Sequence, residues 1–178
     1  MMEERIRIKG EVFRIGIDGL MSGYLLLARE NGIQFLIDNK IKPFSEMDPA
    51  VPFSEGYAAM QALRFAAEMT PEEIDHVKIH EAMQFFLLHP DADLAIHDLA
   101  RWKDWSVADR LLNMFQDPRF DIPAIKKAIV VYFLVLLKAD RSIPSGPDDV
   151  AVEKATAFIK DIELNNPRLL RHAQNISR

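Results

Sequence analysis

The chain has 178 residues, 49% hydrophobic and 28% charged, which suits a folded domain with a real core. Seven glycines are too few for an all-β fold rich in tight turns, and the absence of cysteine excludes disulfides, thiolate metal sites and cysteine nucleophiles. A formal net charge of −5 argues against a nucleic-acid partner, because phosphate binding depends on a Lys/Arg excess.

The first residues, MMEERIRIKGEV, carry acids and no apolar run, so they do not read as a signal peptide and a cytoplasmic location is expected. Residues 1–16 read as an extended or loosely ordered connector, since Ile6 and Ile8 alternate with Arg5, Arg7 and Lys9, and Phe13 and Ile15 continue the pattern. Ile17 to Arg29 predicts a helix broken by Asn31-Gly32, and Ile33 to Ile41 a short second one. Pro43, Pro49 and Pro52 make 41–52 a loop. Ser54 is expected to cap a helix to about Met69, in which Ala58, Ala59, Ala62, Ala66 and Ala67 permit close helix approach. Thr70-Pro71-Glu72-Glu73 has the form of a capping box opening a helix to Leu88, with Ile79, Met83, Phe86 and Leu87 on one face. Pro90-Asp91 opens the next helix, ending near Trp102.

Ala108, Leu111, Leu112 and Phe115 follow the spacing of one helix face. Ser106 and Asp109 are placed to cap it, and Asp117-Pro118 to stop it. Asp121, with Pro123 in the first turn, reads as the cap of the next helix. There Ile125, Ile129, Tyr132, Phe133 and Leu136 form a stripe, and Val130, Val131, Leu134, Val135 and Leu137 fill the other sides. A helix apolar all round is either buried or membrane-spanning. The run Ala128–Leu137 is ten residues between lysines, short of the roughly 20 a span needs, so it predicts a core helix and no membrane span. Ser142 to Pro147 reads as a loop, Ala151 to Ile162 as an amphipathic helix and Asn166-Pro167 as the start of a last short one.

Two landmarks recur. Leu27-Ala28-Arg29 and Leu99-Ala100-Arg101 lie 72 residues apart, and Val51-Pro52 and Ile122-Pro123 lie 71 apart. Each Leu-Ala-Arg triplet ends a predicted helix, and Val51-Pro52 and Ile122-Pro123 each open a long apolar one. The unit holds two helix pairs of about 36 residues each, within the period range of helical solenoids. On that period, the interhelix Pro and Asp positions and the wording LARWKDWSVADRLL…FDIPAIKKAIV, the chain resembles HEAT-like helical repeat proteins, including uncharacterised bacterial ones. The resemblance implies an all-α fold of stacked antiparallel helix pairs in an α-α superhelix. It implies a single domain over 17–178, with repeat units at about 17–90 and 91–163 and a capping helix at 167–175.

Some residue patterns suggest chemistry. His76 and His80 are four apart on one predicted helix face, the spacing of two metal ligands, but the order is not H-E-x-x-H, and a solvated polar face is the plainer reading. Trp102, Asp104 and Trp105 bracket a helix junction. HEAT-like DNA glycosylases use Trp and Asp on a concave surface, but the missing basic stripe favours packing anchors here. Arg119 stands between Asp117 and Asp121 in DPRFD, where a carboxylate fork or a capped loop would form. No G-x-S-x-G, G-x-G-x-x-G or P-loop is present. No catalytic residue, cofactor or metal is therefore assigned. The leading expectation is a non-enzymatic interaction or scaffold module with an unidentified protein partner, possibly a section of a longer solenoid. A glycosylase-type enzyme and a self-associating helical bundle of structural role are the alternatives.

Overall fold

The computed structural model describes residues 1–8, 14–69 and 74–176. Among them every regular element is helical, none is a strand, and no helix is long and apolar enough to cross a membrane. The chain divides into two compact units, Met1–His89 and Pro90–Arg178.

The first unit opens with α1 (Met2–Arg7), a short helix where the Ile6/Ile8 alternation suggested an extended segment. Packing overrides the alternation: Ile6 is fully buried, Glu3 accepts from the Tyr24 hydroxyl at 2.6 Å, and Glu3 and Arg7 pair one turn apart. Next comes α2 (Ile17–Leu36), entered through Gly16 at φ 76°, a left-handed conformation that favours glycine. Its break lies at Arg29 (φ 50°, ψ −126°) rather than at Asn31-Gly32. The chain folds back there. Residues seven apart in a straight helix are about 10 Å apart along the axis, yet a Cβ at Gly32 would lie 3.3 Å from the side chains of both Leu25 and Ala28. Gly32 is thus the residue that lets the second half close on the first, offsetting strain at Arg29 of about 1–3 kcal/mol.

A π-turn, Ile37–Ile41, follows, and α3 (Lys42–Ser45) occupies part of the predicted loop. Pro43 fits the first turn of α3, where its missing N–H is no loss. Helix α4 (Phe53–Met69) packs along α2. The Pro52 carbonyl accepts from the amides of Glu55 and Gly56, so the helix starts before Ser54, which lies inside its first turn. α5 (His76–Gln84) is capped by Asp75, which accepts from the Val77 amide at 2.9 Å, and a 3₁₀ turn, Phe85–Leu88, completes the unit. The predicted Thr70–Glu73 capping box lies outside the described residues.

The second unit is built on α8 (Pro123–Lys138). Ile125, Ile129, Tyr132, Phe133 and Leu136 are all fully buried, as their stripe requires. Around it stand α6 (Ala92–Arg101), α7 (Ala108–Gln116), α9 (Asp149–Asn165) and α10 (Pro167–Gln174). Two expected caps do not form. Ser106 and Asp109 make no capping box: Asp104 holds the Ser106 amide and hydroxyl at 3.2 and 2.5 Å, and Asp109 pairs with Lys154 at 2.6 Å. Asp121 does not cap α8, whose N-cap is Ile122 with no side-chain bond; its carboxylate faces Lys126 at 3.7 Å. Asn166 does cap α10, accepting from the Leu169 amide at 3.2 Å.

The repeated landmarks take matching places. Each Leu-Ala-Arg ends a helical stretch, in α2 at the kink and in α6 at its C-terminus. Each of those helices packs on the one that follows Val51-Pro52 or Ile122-Pro123, α4 and α8 respectively.

Candidate functional site

The residues singled out in the sequence are held by their own neighbours. His76 and His80 stand edge-to-face on α5, ring centroids 6.4 Å apart. Among the described residues no group of three or more His, Asp or Glu side chains is placed to hold a metal ion. Trp102 is the C-cap of α6, its amide bonded to the Asp98 carbonyl at 2.8 Å. Trp105 stacks edge-on against Tyr132 at 5.6 Å and donates its indole N–H to the Ser145 carbonyl at 2.9 Å. Asp104 is buried, and its backbone carbonyl accepts from the Tyr132 hydroxyl at 2.7 Å. Burial, and then the Asp104 charge, push the Tyr132 phenol well above its ordinary pKa. Trp105, Asp104 and Tyr132 therefore knit one junction, tied by the Tyr132–Asp104 hydrogen bond and the Trp105–Tyr132 ring contact.

Arg119 is held by Asp117, which accepts from the guanidinium at 2.6–3.2 Å and from the Arg119 amide at 2.9 Å. Both proposed roles of the DPRFD stretch, fork and capped loop, fall on the same aspartate. The paired guanidinium draws the Asp117 carboxyl below the usual carboxylate range.

Sequence reasoning missed a buried charge cluster in the first unit. Lys40 and Glu55 are fully buried and form an ion pair. The second Glu55 oxygen accepts from Arg14 Nε at 2.6 Å. Arg14 also donates to the carbonyls of Arg5, Ile6 and Ile8, and Lys40 to that of Ile8 at 3.1 Å, so the cluster fastens the C-terminal end of α1. A π-turn holds one residue more than an α-turn, and it turns Lys40 inward together with Ile37 and Ile41. A signal for Glu55 did exist: it falls on the same helical stripe as Ala59, Ala62 and Ala66, all buried.

Beside this cluster a cleft of about 840 Å³ runs between the first half of α2 and α4. Gly19, Ser22, Gly23 and Leu26 form one wall, spaced as one face of a helix. Ser54, Tyr57, Ala58, Gln61 and Phe65 form the other, with Phe53 at its start. Met21 and Leu25, two large side chains of α2, are turned away from the cleft and fully buried. What remains is a low glycine wall opposite an aromatic one. Among the described residues, a Cβ at Gly16 or Gly19 would meet nothing within 4 Å, and at Gly23 only the Met2 methyl, at 3.8 Å. Phe53 and Tyr57 stack on each other at 6.0 Å while 54% and 37% exposed. Arg14 and Ser22 bring polar atoms to the same walls, but Arg14 is bound to Glu55 and Ser22 donates to the Asp18 carbonyl at 2.8 Å.

A second cleft, of about 590 Å³, lies at the start of α8 in the other unit, with Lys126, Lys127, Asn166 and His172 on its walls. Lys126 is already committed to the Phe115 carbonyl and ring. The α2–α4 cleft is larger and more aromatic, and its size falls within the roughly 300–1,000 Å³ of binding sites. Its walls are mostly apolar, with Phe53, Tyr57 and Phe65 standing opposite Gly19 and Gly23. Compared with protein-family models, with curated proteins and with solved structures, the chain matches none.

Proposed function

We propose that this chain is a non-enzymatic protein-interaction module built from HEAT-like helix pairs, and that it receives its partner in the α2–α4 cleft. The open aromatic-and-glycine groove carries the reading: apolar surface is held at the surface by two rigid helices, with space where side chains would stand. Exposed apolar surface gathered in one place marks an interaction site more often than scattered exposure does. The matching helix pairs α2/α4 and α6/α8 support the repeat assignment.

The test fills the groove. In Gly19→Leu the helix gains a good helix former while the side chain enters the open space. Leu164→Ser, at an exposed position in the other unit, is the control. Crosslinking from position 57 in living cells, followed by mass spectrometry, should recover one protein with the wild-type chain and with Leu164→Ser. The same protein should be lost with Gly19→Leu. Equal recovery by the groove-filled variant, or recovery of nothing but further copies of the chain itself, overturns the proposal.

A further inference from the structure

The groove also carries information about what fits it. We infer that its occupant is an amphipathic α-helix of the partner, with an apolar ridge facing α2 and α4 and a Lys or Arg on its flank beside Asp18; this rests on the groove being the interaction surface.

The shape argues for a helix. Both walls are single helical stripes, and together they flank a trough. From Ser54 to Phe65 is eleven residues, about 16 Å of axial rise, enough for three turns of a third helix. Helices pack at axis separations of about 8–10 Å, set by the side chains at the contact. A wall of Gly19, Ser22 and Gly23 permits approach at the near end of that range. Met2, against Gly23, marks where α1 already occupies the adjoining surface of α2, so the protein's own helix packs beside the vacant stretch. A peptide that adds as a β-strand needs a sheet edge, and among the described residues there is no strand to offer one.

The charge argues for a basic flank. Two charged side chains line the walls, Arg14 and Asp18; a third, Arg64, lies over the Tyr57 ring at 5.8 Å and is engaged with Met60 Sδ at 3.3 Å. The Arg14 guanidinium is engaged by Glu55 and by three backbone carbonyls, and its side chain is only 11% exposed. Asp18 is exposed and makes no ion pair among the described residues. The charge offered to an incoming helix is therefore negative, in the same sense as the net charge of −5 that draws a basic partner from a distance.

Two peptides of about 18 residues, long enough to form helix on a surface, share one leucine stripe and differ in carrying Lys or Glu on the flank. Each is titrated into the isotopically labelled full chain, with the amides of Gly16, Gly19 and Gly23 as reporters. The Lys peptide should move those resonances and become helical. Asp18→Asn should weaken it about two- to five-fold, as an exposed ion pair allows, and the difference should vanish at high salt. Equal binding of the Glu peptide overturns the basic flank. Binding without gain of helicity overturns the helix. If neither peptide moves the glycines while Gly19→Leu still loses the cellular partner, the helical occupant is wrong and the interaction surface stands. If Gly19→Leu keeps that partner, both fall.

Discussion

The ring of Phe44 lies where a side chain at Gly56 would have to stand: a Cβ there would be 2.3 Å from Phe44 Cδ2 and 2.4 Å from Cγ. Phe44 has no room to withdraw. It is buried, stacks on His89 at 4.0 Å and packs on Phe86 at 5.8 Å. Gly56→Ala should therefore destabilise the chain by about 1–3 kcal/mol, the usual cost of overpacking, although alanine is the better helix former by about 1 kcal/mol. Gly19→Ala, in the same kind of helix but facing open space, should instead stabilise by about 0.5–1 kcal/mol. Urea denaturation of the two variants decides it; shifts of the same sign would mean that the Phe44 contact does not govern Gly56.

The Lys40–Glu55 pair makes an asymmetric prediction. Glu55→Gln leaves Lys40 and Arg14 without the carboxylate they share, and removing one partner of a buried pair costs about 3–5 kcal/mol. Lys40→Met fills the same space with an apolar side chain and leaves Glu55 bonded to Arg14, so it should cost distinctly less. Loss of α1 docking should accompany Glu55→Gln, seen as faster hydrogen exchange at Gly23 and Tyr24, which lie against Met2 and Glu3 of α1. A larger loss for Lys40→Met than for Glu55→Gln would refute this account of the cluster.

Lys103 follows α6 at φ 59°, in the left-handed conformation that commonly ends a helix. Lysine bears a Cβ penalty there that glycine does not. Lys103→Gly should raise stability by several tenths to about 1 kcal/mol, measured as a higher denaturation midpoint with unchanged slope. A neutral or lowered midpoint would show that the freedom gained by the unfolded chain outweighs the relief of strain.

These positions show what the sequence discloses and what it conceals. The core of α8 is legible, because a helix apolar on every side has one fate in a chain too short of apolar residues to span a membrane; Ile125, Ile129 and Tyr132 are buried as their spacing demands. Caps are less legible, because they depend on which of several near partners is in reach. Ser106 has an acid three residues on, but Asp104, two residues back, takes its hydroxyl, and Lys154 draws Asp109 away. The groove is concealed for a further reason. Gly19 and Gly23 read as part of an apolar helix, and only the packing of α4 alongside turns their missing side chains into a vacancy. Lys40 reads as a polar residue of the short helix predicted over 33–41, since nothing local announces the π-turn that turns it inward.

His97 on α6 supplies a pH dependence with a definite sign. Burial lowers its pKa from the ordinary value near 6.5, against the opposing pull of Asp93 and Asp98 and with a small further push from Lys127. Well above pH 6.5 the imidazole is neutral in both folded and unfolded chains, and its titration contributes no slope. As the pH falls below 6.5 the unfolded chain takes up the proton first, because its histidine is the more basic. Stability should then decline through the interval between the unfolded and the folded pKa, and level off once both states are protonated. His97→Gln removes this titration and keeps a polar side chain of similar reach. The wild type should lose more stability than the variant between about pH 7.5 and 5, where a histidine titrates, read as the change in urea midpoint for each protein. The other histidines are common to both, so they cancel from the comparison. Equal losses would place the His97 pKa at its ordinary value, and a greater loss in the variant would mean that Asp93 and Asp98 outweigh burial and hold the imidazolium in the folded state.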